Sequence, residues 1–188
     1  MIIVGLGNPG KQYENTVHNV GFRVIDRAAD KLGAACKHKA CDALCAHVYA
    51  RGEKTVLAKP QTYMNLSGVS VKQLVASNRA QASDVVVVYD DVDLPIGTLR
   101  IRMQGSAGTH NGMRNIVQEL GATDFMRVRV GVGAERGERM LRDYVLSELR
   151  GERKEAIDRA IERAADCVVE YLRDGDADAI MRKYNGAV

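Results

Sequence analysis

A chain of 188 residues that is 46% hydrophobic and 27% charged has the composition of an ordinary folded protein, long enough to bury a core without disulfide or metal staples. No apolar run approaches the roughly 20 residues of a membrane span, and no basic segment is followed by a long apolar one at the N-terminus. The expectation is therefore a single domain over residues 1–188, cytoplasmic and without a membrane partner. The net charge of +3 permits a nucleic-acid partner without showing one, so the position of the arginines has to decide.

Ile2 to Leu6 is a short apolar run closed by glycine and reads as a buried strand. It leads into GLGNPG, Gly5 to Gly10, which fits the GxGxxG dinucleotide pattern. That reading needs a helix starting at the glycines, with its free N–H groups on a pyrophosphate. Pro9 has no N–H to give, and Lys11 to Thr16 lacks an apolar helical stripe. Asp26, near the spacing of a ribose-binding acid, reads as the polar face of a helix. The glycines fit better as a tight loop that carries Asn8 into a cleft.

Apolar positions at Val20, Val24, Ile25, Ala28 and Leu32 predict a helix over about Val17 to Leu32, with Thr16 as N-cap and Gly33 as stop. The cysteines Cys36, Cys41, Cys45 and Cys167 contain no CxxC pair. Reduced thiols are expected, and with His38 they lack the paired spacing of structural zinc, so no metal is assigned. Strands are predicted at Ala43–Tyr49 and Thr55–Ala58 around the turn RGEK, a helix at Leu66–Ser77, and a buried strand at Asp84–Tyr89 ending at Asp90 and Asp91. The strand-like LRIRM, the loop GSAGTHNG, a helix over Met113–Leu120 and a strand over Met126–Val132 follow. Helices over Glu152–Arg173 and Ala177–Tyr184 close the chain. This alternation predicts an α/β fold with one mixed, largely parallel, twisted sheet and helices on both faces.

In such sheets ligands gather beyond the carboxyl ends of the strands, where Asn8, His18, Asn65, Asp90 and Asn111 fall. Each asparagine alone is equally a helix cap or turn former. His18 differs in kind. In the first turn of a helix, the positive end of the dipole keeps the imidazole neutral and able to take a proton. Asp90 could accept the other ring N–H. There is no GxSxG, so a water nucleophile fits better than a covalent intermediate. Asparagine amides donate and accept, as binding to a peptide backbone demands. Arg100 and Arg102 alternate along one strand and Arg127 and Arg129 along another, so each pair shares a face; a solvated sheet edge and a phosphate site remain open for them. Tyr13 and Tyr63 flank the asparagine loops and could stack on a base or half-bury at a cleft wall.

The segments VGLGNPGKQYENTVHNVGF, KPQTYMNLSG, YDDVDLPIGTLRIR and GSAGTHNGMRNI occur in one order along the chain, and with them the sequence closely resembles the bacterial peptidyl-tRNA hydrolase family. The resemblance implies a monomeric α/β enzyme that cleaves the ester between a peptide and the terminal ribose of tRNA, with no metal or organic cofactor. By motif it implies His18 as base, Asp90 as its holder and Asn8 beside the scissile ester. Asn65, Asn111 and Met64 would bind the peptide side of the substrate, Tyr13 and Tyr63 the tRNA end, and Arg102 and Arg129 the tRNA 5′ phosphate. Two departures stand out: Val17 where the family usually has arginine, and Thr109 where it has glycine. They bear on rate and preference rather than on reaction type. An RNA-binding module without turnover and a dinucleotide-dependent oxidoreductase are the competing readings.

Overall fold

The computed structural model describes residues 1–133 and 138–187. Chain order runs β1 (Ile2–Gly5), α1 (Val20–Lys31), β2 (His38–Ala40), β3 (Ala43–Ala50), β4 (Glu53–Pro60), α2 (Ser67–Ser77), β5 (Val85–Asp91), β6 (Thr98–Arg102), α3 (Asn111–Leu120), β7 (Met126–Gly131), α4 (Glu138–Val145), α5 (Gly151–Asp174), α6 (Ala177–Tyr184) and β8 (Gly186–Ala187). The strands form one eight-stranded sheet in the order β2-β3-β4-β1-β5-β7-β6-β8. Its four central strands, β4-β1-β5-β7, run parallel, and the flanking pairs are antiparallel. The expected mixed α/β sheet is thus borne out, with parallel pairing confined to the middle.

The unbroken apolar runs of β1 and β5 follow from burial on both faces. Ile3, Val86 and Val88 pack with Val20, Val24 and Ile25 of α1 and with Ile157, Ile161 and Val168 of α5. Ile2, Val4, Val85 and Val87 point the other way, onto Val71 and Leu74 of α2 and Met113 and Ile116 of α3. Each such side chain contributes about 1.5–3 kcal/mol by leaving water. No helix among the described residues is long and apolar enough to cross a membrane.

Glycine sets the distance between α1 and the sheet. A Cβ on Gly21 would lie 2.4 Å from both the Leu6 nitrogen and the Val88 oxygen, and one on Gly5 would lie 2.2 Å from the Gly21 oxygen. Contact this close brings the start of α1 against Val88 in the middle of β5. Gly5 and Gly7 of GLGNPG face Gly21 and Phe22 of α1 and so serve helix packing, while Gly10, at φ 113°, leads into a short 3-10 turn, Lys11–Tyr13, in place of the helix a dinucleotide needs.

Two expectations are corrected. The segment Val17–Asn19 is a separate 3-10 turn and α1 proper begins at Val20. The Thr16 hydroxyl donates to the Tyr13 carbonyl instead of capping the helix. Sequence reasoning also missed β2, β8 and α4, all short elements of two to eight residues.

Candidate active site

A cleft of about 880 Å³ opens at the carboxyl ends of the parallel strands, and Asn8, His18, Met64, Asn65, Asp90 and Asn111 all line it together with Arg102 and Arg129. Residues from seven separate segments thus meet in one place. Tyr13 and Tyr63 are not among the lining residues; they pack edge to face with ring centroids 6.5 Å apart, and Tyr63 is 52% exposed.

His18 and Asp90, 72 positions apart in sequence, are joined by contacts of 2.9 and 3.0 Å from the imidazole Nδ1 to the two carboxylate oxygens. Asp90 is buried. A second ring, His110, places Nε2 at 3.1 Å from Asp90 Oδ1. Its Nδ1 accepts the Met113 N–H at 3.2 Å, so the ring proton sits on Nε2 and is donated to Asp90. His18 likewise donates Nδ1–H, which leaves its Nε2 as the basic nitrogen.

The electrostatics correct the expectation of an imidazole held neutral by a helix dipole. Burial alone would lower the pKa of His18, but the charge of Asp90 and its hydrogen bond outweigh burial and raise it above 6.5. Burial would likewise raise the Asp90 carboxyl, yet the attraction of the His18 ring and the hydrogen bonds from both His110 and His18 hold it well below the ordinary carboxylate range. A buried carboxylate in direct contact acts more strongly than partial charges at the end of a short 3-10 turn. His18, Asp90 and His110 offer three ligand atoms within 4.8 Å of one another and could hold a divalent ion, but both ring N–H groups already serve the carboxylate. The four cysteines are free thiols.

Asn8 is held by two elements. Its backbone N–H donates to Asn19 Oδ1 at 2.8 Å, and Asn19 Nδ2 returns a bond to the Asn8 carbonyl at 2.9 Å. Its side-chain Oδ1 accepts the Met64 N–H at 2.9 Å. Only the carbonyl end of an amide can accept, so the Nδ2 donor edge is the one left for a ligand. Tyr63, immediately before Met64, has φ 60° and ψ 159°, a region that costs a non-glycine residue about 1–3 kcal/mol. The strained residue aims the Met64 N–H at Asn8.

Asn65 and Asn111 are exposed at the cleft. Their side chains make no hydrogen bond within the chain among the described residues. Met64 is buried below them. Leu141, Val145 and Leu146 add an apolar strip. The loop that carries Leu146 is strapped to the His18 segment by Val17 N–H to the Ser147 carbonyl and Leu149 N–H to the Asn15 carbonyl, at 3.2 and 3.0 Å.

Antiparallel pairing sets Arg100 opposite Arg129 and Arg102 opposite Arg127, so all four arginines project from one face. They are not alike. Arg129 Nε is paired with Asp91 Oδ2. Arg102 is exposed and, among the described residues, donates only to its own strand, at the Ile101 carbonyl. Arg127 is buried at 1% exposure, which excludes a solvated sheet edge for that residue. Of the residues the sequence did not single out, His110 and Asn19 each adjoin one that it did, and Asp91 follows Asp90. That adjacency was the available signal.

The fold and the cleft define an α/β protein with an acid–base site at the carboxyl edge of its parallel strands. The chain belongs to the peptidyl-tRNA hydrolase family: the family model described as "Peptidyl-tRNA hydrolase" matches residues 2–188. Among its relatives, the peptidyl-tRNA hydrolase of Caldanaerobacter subterraneus subsp. tengcongensis is 45% identical, covering 98% of this chain and 99% of the relative. That of Chloroflexus aurantiacus is 46% identical, covering 98% of each. The crystal structure of peptidyl-tRNA hydrolase from Acinetobacter baumannii superimposes with a TM-score of 0.93 at 31% identity, over 99% of this chain and 94% of that one.

Proposed function

We propose that this enzyme, a peptidyl-tRNA hydrolase by family, cleaves the ester between the peptide and the 3′ ribose of tRNA with a water molecule activated by His18. The contact between His18 and Asp90 carries this reading. Nε2 of His18 takes a proton as the water oxygen attacks the ester carbonyl carbon, and Asp90 steadies the imidazolium that forms. The carbonyl oxygen becomes an oxyanion, for which the free Nδ2–H of Asn8 is a fixed donor. Collapse of the tetrahedral intermediate breaks the bond to the ribose oxygen, which leaves with the proton from His18.

In the same reading, the amides of Asn65 and Asn111 hold the N-blocked peptide above Met64. Tyr13 and Tyr63 meet the tRNA end, and Arg102 and Arg129 hold its 5′ phosphate. No step calls for a metal or organic cofactor. In this reading the enzyme acts as a monomer, its chain forming a single domain around one eight-stranded sheet. Peptidyl-tRNA arises where translation runs, and free thiols suit the reducing cytoplasm. The test is release of free tRNA from a labelled N-acyl-aminoacyl-tRNA. Wild type releases it with or without a chelator, and His18→Ala is expected to lose about 100-fold or more, the scale of a general base. Undiminished turnover by that variant overturns the reading, and RNA binding without turnover by wild type favours a binding module.

A further inference from the structure

Arg127 is the one buried arginine among the described residues. Its Nη1 donates to the Thr123 and Phe125 carbonyls at 3.0 and 2.7 Å and its Nη2 to the Gly105 carbonyl at 2.6 Å. Its carbon Cζ lies 4.1 Å from the centroid of the Phe125 ring. Its Nε–H is buried without an acceptor, and among the described residues no carboxylate pairs with it. Carbonyl oxygens satisfy a guanidinium's hydrogen bonds but leave its net charge uncancelled, and such a charge is costly to bury. Arg127 nonetheless lines the cleft beside Arg102 and Arg129. Among the described residues, the carboxylate paired with an arginine of this face of β6 and β7 is Asp91, taken by Arg129.

We propose that Arg127 is a third, buried cation of the phosphate seat, and that it makes the seat select a dianionic terminal phosphate over a monoanionic phosphodiester. This rests on the reading that Arg102 and Arg129 hold the tRNA 5′ phosphate. Those two side chains contact the group from the water side, where solvent and salt weaken each charge. Arg127 acts from below, through protein of low dielectric, where its field is less screened. Its surplus charge rewards the second negative charge of a phosphomonoester, which no internal phosphate of RNA carries.

The experiment compares KM for N-acyl-aminoacyl-tRNA carrying a 5′ phosphate, a 5′ methyl phosphodiester or a 5′ hydroxyl, in wild type and in Arg127→Met. Wild type is expected to prefer the phosphomonoester. Arg127→Met is expected to lose about tenfold of that preference, the scale of removing one unit charge that acts through protein of low dielectric, with a much smaller change on the 5′ hydroxyl substrate. Equal losses on all three substrates, or an intact preference, overturn the proposal and leave Arg127 as a loop anchor. A wild type indifferent to the 5′ group overturns the Arg102 and Arg129 reading, and the proposal with it. Should Arg127→Met not fold, the Arg127 Nε–H resonance of wild type decides. It is expected to shift on titration with a 5′-phosphorylated oligonucleotide and not with its 5′ hydroxyl form, and an unmoved resonance overturns the proposal.

Discussion

The side-chain oxygen of Asn8 accepts the backbone N–H of Met64 at 2.9 Å, which fixes the amide so that its donor edge is the free one. The bond ties the loop after β1 to the turn after β4, and both pieces reach the cleft because their strands are parallel neighbours in the sheet.

Asn8→Asp keeps the shape and the bond from Met64 but has no N–H to donate. If the amide serves the oxyanion, kcat falls by about 100- to 1000-fold, as for loss of one such donor. The added negative charge also raises the His18 pKa, so rates are to be compared on the alkaline plateau of the pH profile. A kcat within threefold of wild type there would remove Asn8 from the transition state.

With His18 as the proposed base, the acid limb of kcat/KM is expected to follow its titration. The base works only when neutral, so activity falls as pH drops through a pKa that Asp90 holds above 6.5. In Asp90→Asn the raising effect is gone and burial acts alone. The limb is expected to move to lower pH, while the plateau drops about 100-fold or more because the imidazolium is no longer steadied. A limb that stays in place would assign it to another group. The same pair has a stability consequence: its contribution through His18 is complete below pH 6.5 and is lost as pH rises through the raised value. Thermal melts across this range read it directly.

Arg102 has no carboxylate partner among the described residues and stands exposed at the cleft. Arg102→Ala, measured in a His18→Ala background so that substrate survives, should weaken tRNA binding and reduce the slope of log K against log salt by about one. A slope equal to that of the parent would mean that this arginine neutralises no phosphate.

Gly21→Ala tests the packing that brings α1 to β5. The new methyl meets backbone at 2.4 Å on two sides, and backbone yields far less than a flexible side chain. A loss of about 2–3 kcal/mol is expected, despite the roughly 1 kcal/mol that alanine gains in an exposed helix interior. Urea unfolding measures it, and a variant as stable as wild type would show that α1 moves away freely.

Much of this molecule was legible in the sequence by itself, because the relevant signals are local. The unbroken apolar runs Ile2–Leu6 and Val85–Val88 announce strands buried on both faces, and the spacing of Val20, Val24, Ile25 and Ala28 announces the helix between them. The residue types of His18, Asp90 and the asparagines at strand ends named the candidate chemistry. Tertiary structure alone decided the rest, because charge state and burial depend on partners remote in the chain. Asp90, 72 residues away, overrides the effect expected from the helix start on His18. His110 and Asn19 acquire their partners only when α3 and α1 meet the sheet. Arg127 and Arg129 look equivalent along one strand, yet one is enclosed by carbonyls and the other is paired with Asp91, a difference set by which segments fold over each side chain.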